Sequence, residues 1–199
     1  YVIRKSVQDY IKREYNIETT LINHPFYQYP RTDKESINEY AVSISRIDFD
    51  KNTDIILKAN KILPEDKKIT IYGAENRLYV FHKLKELDFA KYWRGKYEKT
   101  LPMLYDGKQI LKAPKYMIDL SVIANDGGGT QYTFLEAIYN DCVLILHNDW
   151  IKKDKLFVDK YNCFGVSNEM ELKDMLFREY DIEDLEKIRK NARKILTNH

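Results

Sequence analysis

The chain has 199 residues and a mass of 23.8 kDa, enough to bury one good core with an appendage. Hydrophobic residues make up 44% and charged residues 32%, the balance of a soluble globular domain, and 33 basic against 31 acidic residues leave a net charge of +2. That charge is too even for a dedicated nucleic-acid or membrane surface; no apolar run approaches a membrane span, no signal peptide is visible, and a cytoplasmic location is expected.

The first residue is Tyr1 rather than Met, so a piece of a longer protein is expected. Lys5 to Tyr15 reads as an amphipathic helix with Val7, Tyr10, Ile11 and Tyr15 on one face, closed by Asn16 in a left-handed conformation. Thr19 to Asn23 is a short strand candidate. The proline-bounded stretch His24 to Pro30 and the charged run Arg31 to Glu39 read as a linker. A boundary placed there divides the chain into 1–30 and 31–199.

Beyond the linker, β and α signals alternate. Tyr40 to Ser45 reads as a strand, and Asn52 or Thr53 caps a helix running to Pro64 through Ile55, Ile56, Ala59, Ile62 and Leu63. Lys68 to Tyr72 is a strand stopped by Gly73. Asn76 opens a helix with Val80, Phe81, Leu84 and Leu87 inside, and Phe89 to Tyr92 reads as a weak strand before Gly95. Thr100 to Lys115 reads as partly helical. Met117 to Ala124 and Val143 to Leu146 are near-continuous apolar runs suited to strands covered on both faces, with a helix from Gln131 to Tyr139 between them. Phe157 to Asn162 reads as a turn or half helix, Phe164 to Val166 as a strand, and Met170 to Glu179 and Ile182 to Leu196 as closing helices. Repeated β-then-α units predict an α/β fold, a Rossmann-like parallel sheet with helices on both faces.

Ligands in such sheets sit beyond the carboxyl ends of the strands, which draws four loops together. Arg46 to Asn52 brings Arg46 and Lys51, two cations able to neutralise a diphosphate or to remain on a solvated loop. Gly73 to Asn76 and Arg94-Gly95-Lys96 are the second and third. The fourth, Asp126-Gly127-Gly128-Gly129-Thr130, leads into a helix N-terminus: either an anion site or a turn that merely needs glycine. Glu136 in that helix is either an acid favoured by the helix dipole or a bidentate acceptor for two ribose hydroxyls. Asp119 and Asp126 read first as turn or edge residues and second as sugar contacts. Ser45 and Ser121 have no His nearby in sequence, and His82 and His147 fall on a helix and at a strand end. The two cysteines, Cys142 and Cys163, lack metal-ligand spacing and read as reduced, buried thiols. The linear dinucleotide fingerprint is absent.

In order, these pieces resemble the C-terminal, donor-binding half of GT-B glycosyltransferases of the retaining group that uses nucleotide-diphosphate sugars. The segments carrying the resemblance are AVSISRIDFDKNTDIILKA, KKITIYG, FAKYWRGKYE, MIDLSVIAND, TFLEAIYNDCVLIL and NCFGVSNEMELKDML. RKSVQDYIKREYNIETTLINHP is similar to the last helix and strand of the missing N-terminal half and its exit into the linker. The resemblance implies that Arg46 and Lys51 grip the diphosphate and Glu136 the ribose diol. Gly128, Gly129, Thr130, Gln131, Tyr132 and Thr133 would line the phosphate and sugar, with Gly73, Arg94 and Gly95 toward the base. It implies a UDP- or GDP-sugar donor, no metal, and an acceptor held by the N-terminal domain: glycan, lipid, protein or modified DNA.

The family often has two glutamates separated by seven residues; here the earlier position is Gly128. A usual proline and glycine are replaced by Thr133 and Asp141, with Asn140-Asp141 able to supply a left-handed cap. The segment QYTFLEAIYNDCVLI is also similar to phage DNA α-glucosyltransferases. The alternatives are a non-catalytic nucleotide-binding Rossmann-like module and an epimerase, which would need acid/base groups not evident in the sequence.

Overall fold

The computed structural model describes residues 1–3, 5–23, 25–28, 40–95, 110–112, 114–123 and 131–197, without the side chains of Ser6 and Lys112. The charged run 31–39, Lys96, most of the interval 100–115 and the glycine loop 126–130 lie outside the described residues.

Five strands form one parallel sheet: β1 (Ala41–Ile44), β2 (Ile69–Tyr72), β3 (Tyr116–Asp119), β4 (Val143–His147) and β5 (Phe164–Val166), in spatial order β2-β1-β3-β4-β5. Registers are fixed by pairs such as Val42↔Thr70, Val42↔Met117 and Met117↔Leu144. Side chains alternate between two buried clusters with the period of two that a strand imposes. Ala41, Ile69, Ile71, Tyr116, Ile118, Val143 and Ile145 face one side; Val42, Ile44, Met117, Leu144 and Leu146 face the other. Both faces are covered, which is why β3 and β4 read as apolar runs in the sequence.

On the first face lie α2 (Thr53–Ile62) and α7 (Glu169–Phe177), which pack against each other, and α4 (Phe89–Tyr92). On the second lie α5 (Tyr132–Tyr139), which also packs against α8 (Ile182–Leu196), and Trp150 of α6 (Asn148–Lys153). Phe134 of α5 sits edge-on to Trp150 and Phe157, with ring centroids 5.2 and 5.6 Å away. Before the sheet, α1 (Lys5–Tyr15) is closed by Asn16 at φ 53, the left-handed cap expected there.

Several expectations are corrected. Thr19 to Asn23 forms no strand; a single parallel bridge joins Leu21 to Val2. Phe89–Tyr92 is one helical turn, entered through Asp88 at φ 54, because its Phe89 and Tyr92 bury together on one face as helical spacing requires. The extended pairing lies just after it: Trp93 bridges Ile71, Arg94 N–H donates to the Ile71 carbonyl at 2.9 Å, and Gly73 N–H donates to the Gly95 carbonyl at 2.9 Å. Asn52 precedes α2 in a left-handed conformation and makes no cap bond; its side chain donates to the Leu120 carbonyl instead, at 2.8 Å. The Asn76 helix does start at its cap, the side chain accepting from Leu78 and Tyr79 N–H, but α3 (Arg77–Tyr79) gives way to a π-type turn over Val80–Leu84 and a tighter turn over Lys85–Leu87, leaving Phe81 exposed. The sequence reading had no helix at α6.

One buried polar clamp fastens α2 to the sheet. The Asn60 side chain, fully buried, donates to the Ile69 carbonyl at 2.9 Å and accepts from Ile69 N–H at 2.8 Å, satisfying the first residue of β2 in both directions. Asn60→Ala strands both backbone groups in an apolar layer and is expected to lower stability by about 2 kcal/mol, measured as a shift in urea midpoint. An unchanged midpoint would show that water replaces the side chain at no cost.

Candidate functional site

Strand order places the topological switch between β1 and β3: from β1 the chain goes out to β2 on one side, while β3, β4 and β5 follow on the other. A crevice opens beyond the carboxyl ends of such neighbours, and the loops there are stitched together. Val122 N–H donates to the Asp50 carbonyl at 3.0 Å, and Asn52 ties the same loop to Leu120. Ile47 N–H donates to the Ala74 carbonyl and Asn76 N–H to the Ile47 carbonyl, which joins the β1 exit to the β2 exit.

Lys51 is buried, its ammonium 3.3 Å from an Asp50 carboxylate oxygen. Arg46, at the mouth, keeps its side chain 67% exposed, with one guanidinium nitrogen 3.8 Å from Asp48. Asp48 is itself held, accepting from Asn76 Nδ2 at 3.0 Å and from Phe49 N–H at 2.9 Å. Lys51 is therefore a buried cation and Arg46 an exposed one. Gly73 closes β2 at φ 148 with its backbone against the Ser45 carbonyl. Its own carbonyl accepts from Trp93 Nε1 at 2.9 Å.

Helix α5 enters from the opposite wall. Gln131, at its N-cap, donates from Nε2 to the Ser121 hydroxyl at 3.1 Å, so the start of the helix is tied to the β3 exit. The Thr133 hydroxyl is buried without a partner among the described residues, and Tyr132 packs its ring on Phe26 at 5.4 Å. Glu136, one turn further on, has no exposed surface and neither carboxylate oxygen meets a donor among the described residues; burial pushes its carboxyl up to about 8. Its helical neighbours Phe134, Leu135, Ala137 and Ile138 are core, and the following turn closes through Asp141 at φ 62.

Bonds thus tie the Lys51 loop and, through Gln131, the first turn of α5 to the same β3 exit, with Arg46 exposed at the β1 exit. Arg94 is turned aside: its guanidinium donates to the Lys91 carbonyl at 2.8 Å and lines a separate hollow with Glu65, Asp66, Lys68 and Lys91 near the start of β2. Gly95 stands beside Gly73 at φ 96. Gly128, Gly129 and Thr130 lie outside the described residues. The sequence points to Asn52 and Asn76 only as helix caps and does not single out Asp48, yet these polar residues fasten the loops; an Asn after a short loop signals only a cap. Among the described residues no three His, Cys, Asp or Glu side chains are grouped to hold a metal ion, and no helix is long and apolar enough to cross a membrane.

A parallel five-stranded sheet with helices on both faces is a Rossmann-like α/β fold, and it matches the fold of solved glycosyltransferase structures. The solved structures it resembles include Staphylococcus aureus TarM, crystallised with fondaparinux, α-GlcNAc-glycerol and UDP (TM-score 0.69, 16% identity, 99% of this chain and 42% of TarM). Another is the pneumococcal O-GlcNAc transferase GtfA with UDP and GlcNAc (0.65, 16% identity, 97% of this chain and 39% of GtfA). A third is the C-terminal domain of LpcC, a group 1 family glycosyl transferase of Francisella tularensis (0.58, 18% identity, 85% of this chain and 93% of that domain). The chain spans less than half of TarM and GtfA and is similar to nearly all of the LpcC domain. No protein-family model and no curated protein matches the sequence.

Proposed function

We propose that this chain is the donor-binding part of a retaining glycosyltransferase that moves a sugar from UDP or GDP to an acceptor held by an N-terminal half, of which residues 1–30 are the tail. Glu136 is the observation that carries this reading. A carboxylate with no exposed surface and no partner among the described residues is costly to keep unless something supplies donors, and an adjacent pair of ribose hydroxyls is such a donor set. Arg46 and Lys51 would take the diphosphate, stabilising the charge that develops as the sugar leaves, with the first turn of α5 adding its dipole. TarM and GtfA were each crystallised with UDP, which supports a uridine donor.

Side-chain cations in that position make a metal unnecessary, so donor binding should survive EDTA. Modified DNA stays among the acceptors on the likeness of residues 131–145 to phage enzymes. Gly128, standing where the family often has glutamate, favours as a second reading a module that binds the nucleotide without turnover.

The test is calorimetric titration with UDP, GDP and ADP. Arg46→Ala and Lys51→Ala are each expected to weaken the preferred nucleotide by about 2 kcal/mol, the scale of a charged hydrogen bond. Unchanged affinity in both variants rejects the assignment. Sugar release from the donor in the presence of a complete N-terminal half separates the enzyme from the module.

A further inference from the structure

Cations collect at the amino ends of the strands, across the sheet from the proposed donor site. Tyr40 precedes β1, Lys67 and Lys68 precede β2, and Lys115 precedes β3. The rings of Tyr40 and Tyr116 meet edge to face, with centroids 5.4 Å apart. The Lys115 ammonium stands over both, 5.7 Å from the Tyr40 centroid and 5.3 Å from that of Tyr116, and the Lys67 ammonium lies 5.4 Å from that of Tyr40. Lys67 also donates to the Leu176 and Phe177 carbonyls at the end of α7, at 3.4 and 3.3 Å. The Lys115 ammonium has no such acceptor among the described residues.

Two donors close by are buried without a partner among the described residues: the Tyr116 hydroxyl, on a side chain with no exposed surface, and Arg189 Nε. The Tyr40 hydroxyl donates to the Leu176 carbonyl at 2.9 Å and meets the Tyr116 hydroxyl only outside hydrogen-bond geometry. Arg189 follows Ile188, which packs in the same cluster as Tyr116; its Nη1 pairs with Glu186 and its side chain is 13% exposed. Burial, then the Arg189 and Lys67 charges, hold the Lys115 ammonium below the ordinary lysine range, with Glu179 opposing them.

A lysine resting on tyrosine faces accounts for Lys115 but for neither orphan donor. Phenylalanine at position 116 would fill the same space without the cost of a buried, unpaired hydroxyl. A negatively charged acceptor with several lone pairs answers all three groups and relieves the crowding of like charge. The surrounding acids set its size. Asp66, Glu179 and Glu186 are exposed around half-buried Lys67, Lys115 and Arg189, so a membrane or a nucleic-acid backbone would meet carboxylates as well as cations. A single small anion reaches Lys115 past them.

We propose that the amino ends of β1 and β3 form a second anion site, which takes a small phosphate anion between Lys115, the Tyr116 hydroxyl and Arg189, with Lys67 beside it. The site stands independently of the donor-site reading.

The experiment titrates inorganic phosphate, against chloride at matched ionic strength, into the whole chain and its Lys115→Met and Tyr116→Phe variants. Thermal midpoints report binding, and UDP affinity is measured on the same proteins. Phosphate should raise the wild-type midpoint, bind about 10-fold more weakly to Lys115→Met and about 5-fold more weakly to Tyr116→Phe, and leave UDP affinity unchanged in both. Without phosphate, Tyr116→Phe should melt at or above wild type. Equal stabilisation of all three proteins by phosphate, or the same stabilisation by chloride, overturns the proposal. So does a loss of UDP affinity in Lys115→Met that matches its loss of phosphate affinity, since the phosphate would then occupy the donor site. Should Lys115→Met fail to fold, Arg189→Gln replaces it with the same expected loss, and wild-type phosphate affinity in that variant overturns the proposal.

Discussion

Gly73→Ala is expected to destabilise the protein by about 4 kcal/mol, at the upper end of single-substitution effects. At φ 148 the backbone occupies a region closed to side chains, and an added Cβ would lie 1.7 Å from the Ser45 carbonyl oxygen and 2.8 Å from its carbon. Both obstacles are main chain, so no rotamer relieves them. Nor can the two strand ends part cheaply. Ser45 N–H donates to the Tyr72 carbonyl at 3.2 Å, and the Gly73 N–H and carbonyl are engaged by Gly95 and Trp93. Separation would also move Arg46, which follows Ser45, so loss of stability should come with loss of nucleotide affinity. Urea unfolding at neutral pH measures the first; a midpoint equal to wild type would mean that the loops part freely.

Glu136→Gln should do the opposite to stability. The Glu136 carboxyl titrates at about 8 in the folded chain against an ordinary 4.5, so between those values the folded state binds more protons than the unfolded one. Stability therefore falls as pH rises through that window and levels off above it. At neutral pH the cost is about 3 kcal/mol, and the glutamine variant, which has no charge to bury, should be more stable than wild type by about that amount, with the gain gone at pH 4. Asp119, also raised by burial, leaves a residual slope of the same sign in both proteins. If Glu136 serves a ribose diol, the stabler variant binds UDP less well. Denaturation curves at several pH values that run parallel for the two proteins would reject the ionisation argument.

Much of this arrangement was legible in the sequence because it rests on periodicity. Helices at 5–15 and 182–196 and the strand at 164–166 have the bounds that their patterns set, since an apolar stripe or a short bounded run decides them locally. FAKY fits either period, having four residues with two aromatics; Asp88, left-handed at φ 54 immediately before it, sets the turn. The helix at Asn148–Lys153 carries a single buried side chain, Trp150, and so shows no stripe. At the site, Lys51 and Glu136 were named from residue type and position, but their burial was not visible. That Lys51 is buried while Arg46 is exposed goes with Asn52 and Val122 drawing one loop inward, bonds between residues some 70 apart in sequence (Asn52 to Leu120 spans 68).

The margins of the sheet carry a last consequence. An open row of strand amides and carbonyls invites other chains to add on. Here the outer side of β2 is occupied by Trp93–Gly95, while β5 is three residues long, with the Gly165 N–H capped by Asp159 at 2.8 Å and the next strand-end amide, Ser167, by Glu171 at 2.8 Å. Neither border offers a template for fibril growth, so a chain rich in tyrosine and isoleucine can stay dispersed at concentrations where a bare sheet of this composition would aggregate.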